Sequence, residues 1–562
     1  MNPHAEVDRV DAGDEGIRIR GTLVGGDGAP QLTARRRADG HEVTVPAALD
    51  GDSFDVSVPY TALPERDLGQ ADFWDLYLGE LRLGRHRDGV ADKRHAYVFP
   101  RHEAGERRFR PFYNVRNHLF IRSGPIEDDF VPAAVAPPVR PPRRRVVPPH
   151  ELWLHRVAHA LARAVLRRRP KGNRTKVTIL IANAYGMGGT VRTCLNVAGF
   201  LARAHDVEII STHRTSDRPF FPFPPGVKVR VADDQRDRPL GGRAGRVREL
   251  LRPHRSRLVF PGDLRFAGSC TLWTDLMLVR HLWEVRDGVV MGTRPALNLL
   301  APVLRRRGMT VIGQEHMNLE THTPQRQAEI ARRYPSLDAV AVLTERDHET
   351  YAHALGDSVR LERIPNAIPR LEAEPPALDA PVVVAAGRLT LQKGFDLLIP
   401  AFAKVAERHP EWTLRICGDG GQRRRLQSLI LEHRLSNNVL LMGAVDRLDL
   451  QMAQASLYVL SSRFEGLPMV MIEAMSLGLP VVGFDCPTGP REVIQNGRSG
   501  VLVPDGDIDA LADAMLAVIE DPEHRRRLGA GASERAKDFA LDSIGPRWEA
   551  LIDELSRRPA RR

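Results

Sequence analysis

The chain has 562 residues, of which 42% are hydrophobic and 27% charged, a composition typical of folded globular domains. Its length predicts three to four domains of about 150 residues each. No apolar run approaches the ~20 residues that span a bilayer, and the acidic N-terminus lacks the apolar stretch of a secretory signal. The four cysteines are too far apart for a zinc site or a disulfide framework, which predicts a reducing, cytoplasmic compartment.

The net charge of +10 is concentrated in one segment. Residues 139–176 contain twelve lysines and arginines and a single acid, so the rest of the chain is close to neutral. Such a local basic segment indicates an anionic surface or a solvated linker. We expect no nucleic-acid partner, because no recognised nucleic-acid-binding fold surrounds the segment.

Residues 1–125 predict an all-β accessory domain. Short runs in which apolar and polar residues alternate are separated by Gly, Asp and Pro, and they lie at 16–24, 42–46, 54–59 and 95–100. This pattern is typical of antiparallel strands in a sandwich or small barrel.

Residues 126–174 predict a linker followed by a basic helix. The stretch 131–150 is rich in proline and arginine and is expected to be extended. In the helix predicted at 151–169, an apolar side is opposed by arginines: Trp153, Val157, Leu161, Ala164 and Val165 against Arg156, Arg163 and Arg167. This apolar side either packs on the next domain, the interpretation we favour, or lies on an anionic membrane as a peripheral contact.

Two series of alternating strands and helices follow, at 175–370 and 381–540. Strands are predicted at 177–181, 207–211, 227–231, 289–291, 310–313 and 339–343, and then at 382–386, 413–417, 439–442, 457–460, 480–484 and 500–503. This alternation predicts two parallel, doubly wound sheets. The basic stretch 235–257 is expected to be a surface interruption, and the polar stretch 370–380 a hinge. Ligands of such domains bind in the cleft at the carboxyl ends of the strands.

The most informative motif surrounds the helix predicted from Pro468 to Leu477. Proline is favoured in a first helical turn, and the N–H groups near Gly466 and Leu467 suit an anion. Glu473 lies about 7–8 Å along this helix from Pro468, comparable with the distance from a diphosphate to its ribose. A carboxylate only accepts hydrogen bonds, which suits the ribose diol. The competing interpretation is that Glu473 and Glu465 are ordinary surface acids near a helix start.

Two further loops follow strands of the same sheet. Arg388 and Lys393 flank the loop that begins at Gly387, and two cations there are placed to clamp a diphosphate. Gly418 and Gly420 permit close approach of a ligand to the backbone. Signals at three strand ends of one sheet predict a single binding site.

The first α/β domain carries a glycine loop between strand and helix. Gly188 and Gly189 precede Thr190, a candidate N-cap. The loop is neither a P-loop nor a dinucleotide fingerprint, so by itself it indicates only a generic anion-binding turn. His316 follows the strand at 310–313; a lone histidine there is commonly structural.

Together these motifs resemble the donor site of the family 4 retaining glycosyltransferases over about residues 175–555. The resemblance implies an α/β fold of the GT-B type, in which two Rossmann-like doubly wound domains face a cleft, here preceded by the all-β domain. It also implies a terminal helix, around 543–555, that crosses back to the first domain.

The family's roles carry over to matching positions. By this resemblance, Arg388 and Lys393 bind the donor diphosphate and Glu473 binds the ribose. Glu465 and His316 contact the donor sugar. The remaining donor-binding positions are Gly188, Gly189, Gly387, Gly418, Gly420, Gly466, Leu467 and Pro468. Asn366 resembles the family's asparagine at the domain junction. We expect no metal and no cofactor, because the cations and the helix start supply positive charge.

The resemblance implies a UDP- or GDP-sugar donor and a glycan, lipid or polyol-phosphate acceptor. Segment 107–122 is similar to the end of β modules in teichoic-acid-type enzymes, which implies polymer binding by the β domain. Two alternatives stay open: a nucleotide-sugar epimerase or phosphorylase of related fold, and a protein that binds an anionic polymer or membrane.

Overall fold

The computed structural model describes most of the chain. The described residues are 3–24, 29–64, 72–85, 90, 93, 96–100, 102–104, 107–113, 117–125, 147–166, 176–236, 242–261, 263, 268–285, 288–305 and 309–557. The predicted linker at 131–146, the helix end at 167–169 with Arg167, and parts of the 95–100 and 235–257 predictions lie outside them. Within the described residues, no helix has the length and apolar character needed to cross a membrane.

The N-terminal region is a β sheet, as predicted. Its strands are β1 (His4–Ala12), β2 (Gly16–Val24), β3 (Gln31–Arg36), β4 (Glu42–Asp50), β5 (Ser53–Pro59), β6 (Asp72–Leu78), β7 (Leu81–Gly84), β8 (His102–Ala104), β9 (Arg107–Tyr113) and β10 (Leu119–Pro125). Their order is β3-β4-β5-β2-β1-β7-β6-β10-β9-β8, and β3 also pairs with β6, so the sheet curls back on itself. The strand predicted at 95–100 is wrong for its described part, since 96–100 has no strand structure.

Helix α1 (Pro149–Leu166) packs on the following domain, but through a different face from the predicted one. Trp153 and Leu161 are 62% and 63% exposed, whereas His155 and His159 are buried. His159 Nε2 lies 2.7 Å from the carbonyl oxygen of Leu258, and His155 Nδ1 lies 3.0 Å from that of Arg257. Burial lowers the pKa of His155 to about 4, so the buried ring is neutral. The helical wheel missed this face because it counted histidine as polar.

The first α/β domain contains a parallel sheet of seven strands in the order β13-β12-β11-β14-β15-β16-β17. These strands are β11 (Lys176–Ile181), β12 (Asp206–Arg214), β13 (Lys228–Asp234), β14 (Val289–Gly292), β15 (Thr310–Gln314), β16 (Ala339–Val342) and β17 (Arg360–Arg363). The helices are α2 (Gly189–Leu201), α3 (Gly242–Leu251), α4 (Leu272–Glu284), α5 (Pro295–Leu300), α6 (Pro324–Arg333) and α7 (Glu345–Leu355). Helix α3 lies in the stretch 235–257 that was expected at the surface; most of its residues are exposed, and Gly245 and Arg248 are buried.

The second α/β domain contains a parallel sheet of six strands in the order β20-β19-β18-β21-β22-β23. They are β18 (Val382–Ala386), β19 (Thr413–Cys417), β20 (Val439–Gly443), β21 (Leu457–Leu460), β22 (Val481–Phe484) and β23 (Val501–Val503). The helices are α8 (Phe395–Arg408), α9 (Arg423–Glu432), α10 (Leu448–Ala453), α11 (Met469–Ser476), α12 (Pro490–Val493), α13 (Ile508–Glu520) and α14 (Pro522–Ala536). The buried, β-branched strand runs of both domains are covered on two faces, as parallel sheets require.

The terminal helix α15 (Leu541–Arg557) returns to the first α/β domain. Trp548 and Ile552 are buried in the core beneath α2 and β11. Gly545 lies against the ring of Phe200, where any Cβ would come within 2.6 Å. The chain therefore joins the two α/β domains twice. The four cysteines are buried and unpaired.

The β domain packs on the second α/β domain, although the first one follows it in sequence. The Asn437 side chain accepts from the backbone N–H of Val10 at 3.0 Å and donates to its carbonyl oxygen at 2.9 Å. On the outer strand β20, the N–H of Leu441 donates to the carbonyl oxygen of Ala96 at 3.0 Å. Leu440 is buried in the core of the β domain. These contacts fix the β domain to the outer edge of the second sheet.

Candidate active site in the interdomain cleft

The carboxyl ends of β18, β19 and β21 meet at one edge of the second sheet. The loops that follow them are linked to one another. The N–H of Gly387 donates to the carbonyl oxygen of Cys417 at 2.9 Å, and the N–H of Arg463 donates to that of Gln392 at 2.8 Å. The three loops therefore form one surface at the switch point of the sheet, the place where this architecture binds ligands.

Lys393 and Glu465 are in direct contact on this surface. Lys393 Nζ lies 2.7 Å from Glu465 Oε1, and the side chains are only 19% and 7% exposed. Ser462 Oγ also donates to Glu465 Oε1, at 2.5 Å. The carboxylate is thus held in place, and the ammonium group is held at the edge of the cleft with hydrogen-bonding capacity to spare.

The backbone around Lys393 requires glycine on both sides. Gly394 has a φ of 64°, and a Cβ there would lie 1.8 Å from the carbonyl oxygen of Ser461. At Gly387 a Cβ would come within 3.0 Å of the Lys393 side chain. The two glycines let the loop fold tightly enough to aim the lysine at Glu465.

Arg388 and Arg463 complete the basic side of the surface. Arg388 is exposed on the same loop as Lys393. Arg463 was not predicted: it binds both carboxylate oxygens of Asp396, at 2.7 and 3.0 Å, and donates to the carbonyl oxygen of Leu391 at 2.8 Å. Arg463 therefore fastens the lysine loop to the glutamate loop. Its position two residues before Glu465 was the available signal.

Gly418 and Gly420 allow the β18 and β19 loops to touch. A Cβ on Gly418 would lie 1.9 Å from the carbonyl oxygen of Gly387, and one on Gly420 would lie 2.5 Å from that of Leu389. The N–H of Leu389 donates to the carbonyl oxygen of Asp419 at 3.0 Å. These glycines accommodate a neighbouring loop.

The adjacent pair Gly420 and Gly421 offers a matched test of this packing. Gly420→Ala is expected to lower the free energy of unfolding by about 1–3 kcal/mol, because φ is 158° and the methyl group would meet backbone. Gly421→Ala should change it by less than about 0.5 kcal/mol, since no atom lies within 4 Å of its added Cβ. Equal losses in chemical denaturation would contradict this account.

Glu473 lies on the buried side of α11, not on the surface. It is 2% exposed, and burial raises its pKa to about 7. Buried Tyr458 lies near both Glu465 and Glu473: burial, and then the two carboxylates, raise the pKa of its hydroxyl. The two glutamates of the motif therefore share one region. Helix α11 starts at Met469, one residue later than predicted, because ψ of Pro468 is 87° and not helical.

Arg192 of the first α/β domain binds Glu473 across the cleft. Its Nη1 lies 3.0 Å from Oε1 and donates to Oε2 at 3.2 Å. The guanidinium also lies 5.4 Å from the centroid of Phe221. This contact was missed, because 281 residues separate the partners and nothing local signals such a pair.

The glycine loop of the first domain faces α11. Gly188 is the N-cap of α2, so the predicted N-cap Thr190 is wrong; the helix begins at Gly189. A Cβ on Gly189 would lie 3.6 Å from Met469, and Thr193 Oγ1 donates to Met469 Sδ at 3.6 Å. The glycine loop and the start of α11 therefore approach each other across the cleft.

His316 lies on the opposite wall from Lys393. Its carbonyl oxygen would be 2.5 Å from a Cβ on Gly466, so Gly466 lets the two domains meet here, beside buried Leu467. Neither ring nitrogen makes a hydrogen bond of normal geometry within the described part of the chain. Burial lowers the pKa of His316 to about 4, against a smaller effect of Asn366. The imidazole is neutral at physiological pH.

Glu315, also missed from sequence, supports the backbone before His316. Its Oε1 accepts from Asn298 Nδ2 at 2.6 Å and from the Tyr334 hydroxyl. Burial raises its pKa to about 7. Glu315 is enclosed in the core, so we assign it a supporting role.

Comparison with known proteins agrees with this geometry. Residues 370–535 match the family model described as glycosyl transferases group 1. An exopolysaccharide phosphotransferase of Streptomyces coelicolor is 34% identical over 392 residues, 68% of this chain and 41% of that protein. An uncharacterized glycosyltransferase of Methanocaldococcus jannaschii is 37% identical over 204 residues, 31% of this chain and 50% of that protein. The chain thus spans half or less of the length of these curated relatives.

A solved structure covers both α/β domains. The crystal structure of Anabaena HepE in complex with UDP and glucose matches with a TM-score of 0.52 at 17% identity, covering 68% of this chain and 100% of that one. At this identity the likeness shows the fold alone. The α/β part of the chain therefore has the GT-B fold, and the match to the group 1 glycosyl transferase model falls in its second domain.

Proposed function

We propose that this chain is a retaining glycosyltransferase of family 4 that moves a sugar from a nucleotide-sugar donor to an acceptor. The observation that carries the proposal is the Lys393–Glu465 pair, 2.7 Å apart at the strand ends of the group 1 domain. Such a transfer needs two opposite charges side by side. A cation stabilises the leaving phosphate, and a carboxylate accepts hydrogen bonds from the sugar hydroxyls. UDP-glucose is the first donor to test, because the Anabaena protein was solved with UDP and glucose.

In this proposal the donor lies along α11. Lys393 and exposed Arg388 bind the diphosphate with the helix start after Pro468, where peptide dipoles favour an anion. Glu473 accepts hydrogen bonds from the ribose, and Glu465 accepts them from the sugar. Gly387, Gly418 and Gly420 keep the floor free of side chains. Gly466 and Leu467 belong to the helix start that faces the anion, and Gly188 and Gly189 approach from the first α/β domain.

Bond breaking builds negative charge on the departing diphosphate and positive charge on the sugar ring. In this scheme Lys393, held by Glu465, and Arg388 on the same loop face the developing negative charge, which lowers the barrier without a divalent metal. The departing phosphate itself takes the acceptor proton on the same face of the sugar, giving retention. In this scheme the neutral imidazole of His316, whose ring nitrogens make no hydrogen bond of normal geometry to the described residues, contacts the donor sugar. Because the two domains meet over the cleft, water is excluded from it, which disfavours hydrolysis of the donor.

Arg192 has a part in donor binding under this scheme. It pairs with the carboxylate that we assign to the ribose. A bound ribose must share Glu473 with Arg192 or displace it. Donor binding is thereby coupled to a contact between the two α/β domains.

Donor affinity is expected to rise with pH through about 7. Burial raises the pKa of Glu473 to about 7, so below that pH its carboxyl is protonated and accepts fewer hydrogen bonds. UDP-glucose should bind about tenfold more weakly at pH 6 than at pH 8, as measured by calorimetry. The same shift makes this group's contribution to folding stability fall as pH rises from about 4.5 to 7. Glu473→Gln should make donor affinity nearly independent of pH in this range. If the pH dependence stayed unchanged in this variant, it would arise from another titrating group.

A donor screen by nucleotide release, followed by mass measurement of products with polyol-phosphate, lipid and glycan acceptors, tests the function. We expect one donor to release its nucleotide in an acceptor-dependent way and to yield a product with the donor's anomeric configuration. An isomerised donor without transfer would instead indicate an epimerase. Activity lost on chelation and restored by a divalent ion would refute metal independence.

A further inference from the structure

Helix α7 of the first α/β domain is capped by a side chain of the second. The carboxylate of Glu492, on α12, accepts hydrogen bonds from the backbone N–H of Glu345, at 2.8 Å, and of Arg346, at 3.1 Å. The next N–H, of Asp347, donates to the hydroxyl of Thr344 at 3.0 Å. The first N–H groups of a helix lack partners inside it and lie at the positive end of its dipole, so a carboxylate binds them well.

In the second domain, Glu492 is held close to the loop that carries Glu465. Gly489, the residue before α12, has a φ of 88°, and a Cβ there would lie 2.4 Å from the carbonyl oxygen of Gly466. The N–H of Glu465 donates to the carbonyl oxygen of Pro487 at 3.3 Å. The segment that ends in Glu492 is therefore packed directly against the proposed donor loop.

In the first domain, α7 is tied to the segment that carries His316. Asn318, two residues after His316, donates through Nδ2 to Oδ1 of Asp347 in the first turn of α7, at 2.9 Å. On the other side of His316, the N–H of Glu315 donates to the carbonyl oxygen of Ala341 at 2.9 Å, on the strand that leads into α7. A displacement of α7 would therefore move the His316 segment with it.

We propose that Glu492 is a positioning residue for sugar transfer: by capping α7 it holds the His316 segment of one domain against the Glu465 loop of the other. This role rests on the proposed transferase function, in which both residues contact the donor sugar. Because they belong to different domains, their separation depends on how far the domains close. Two charge-assisted hydrogen bonds to one carboxylate fix both distance and direction. Closure of the cleft is thus specified in part by a residue outside the donor-binding set.

An ion pair at the same place is the alternative link between the domains. Arg363 Nη1 lies 3.8 Å from Glu492 Oε2, whereas its Nε lies 3.1 Å from Glu345 Oε2 in its own domain. The Arg363 side chain is 41% exposed, and an exposed pair of this kind contributes little. The link is therefore assigned to the two backbone hydrogen bonds, and Arg363→Ala separates the two explanations because it leaves those bonds intact.

The first test measures the separation of the domains in the full chain, with no substrate added. Spin labels on Glu349→Cys, exposed on α7, and on Gln495→Cys, exposed just beyond α12, report this distance by electron paramagnetic resonance. The four natural cysteines are buried, so the labels attach to the introduced thiols. We expect Glu492→Ala to lengthen and broaden the distance distribution. The matched control Glu432→Ala removes an exposed acid at the end of α9 in the same domain and should leave it unchanged.

The second test measures turnover with the donor that the nucleotide-release screen identifies. Glu492→Ala should lower kcat for transfer about tenfold or more, because a small misplacement of groups around the reacting atoms is costly. UDP affinity should change less than about threefold, because Lys393 and Glu473 lie in one domain. Donor hydrolysis, measured as nucleotide release without acceptor, should rise relative to transfer as water enters the cleft. Glu492→Gln keeps one acceptor oxygen and should give an intermediate ratio of hydrolysis to transfer.

Three results would overturn the assignment. An unchanged distance distribution in Glu492→Ala would show that the cap does not hold the domains together. An equal effect of Arg363→Ala would assign the link to the ion pair. Parallel losses of kcat and UDP affinity, with an unchanged ratio of hydrolysis to transfer, would make Glu492 a residue of general stability. If the unaltered chain transferred sugar from no donor while Glu492→Ala still lengthened the distance, the transferase function would fail and the interdomain cap would stand.

Discussion

Replacing Lys393 by alanine is expected to lower kcat for sugar transfer about 10²–10³-fold while the chain stays folded. The ammonium group lies 2.7 Å from Glu465 at the edge of the cleft, where the departing diphosphate would need it. Loss of the cation removes an interaction that strengthens as charge develops. The measurement is steady-state nucleotide release with saturating acceptor, with thermal unfolding as a check on the fold.

Lys404→Ala is the matched control for this variant. Lys404 lies on the helix that follows the Lys393 loop and pairs with exposed Asp509, at 2.7 Å. A surface pair of this kind contributes little, so kcat and the unfolding midpoint should barely change. Near-normal turnover of a folded Lys393→Ala protein would remove Lys393 from the catalytic set.

The second large effect is expected at Glu473. Glu473→Gln keeps the size of the side chain but removes the carboxylate, which in our proposal accepts hydrogen bonds from both ribose hydroxyls. UDP affinity should therefore fall about 10²-fold. Affinity for 2′,3′-dideoxy-UDP should hardly change, because that nucleotide makes no such bonds. The two affinities are measured by calorimetry at pH 8, where the native carboxyl is ionised.

Arg192→Ala separates ribose binding from a structural role of Glu473. It leaves Glu473 in place but unpaired, so it should alter UDP affinity without abolishing the preference over the dideoxy nucleotide. If Glu473→Gln lost affinity equally for both nucleotides, the residue would act through the Arg192 contact and not through the ribose.

The parallel sheets were predictable because their strands are buried on both faces and therefore appear as continuous apolar runs. The strands 382–386, 413–417 and 457–460 begin and end where predicted. The glycine-bounded loop after β18 and the Glu465–Glu473 spacing also pointed to one edge of the second sheet. A sequence pattern within a short segment is enough to predict a strand or a loop, because that element is formed by the residues of the same segment.

What the sequence did not reveal depends on contacts between distant segments. Arg192 meets Glu473 only because two domains close on each other. Helix α1 has two faces that could pack on the first α/β domain. The face with His155 and His159 packs there, because the backbone carbonyls of residues 257 and 258 form hydrogen bonds with the two rings. A helical wheel ranks faces by apolarity and does not include hydrogen-bond partners on another element.

Strand β20 is one of the two outer strands of the second sheet, and a bare sheet edge recruits strands from other molecules. Here the accessory domain covers it: the N–H of Leu441 is satisfied by Ala96, and Leu440 is enclosed. A shortened chain beginning at β11 would lose that cover and present an open hydrogen-bonding edge beside an uncovered leucine. We therefore expect the shortened chain to aggregate more readily than the full chain, independently of anything that the N-terminal domain binds.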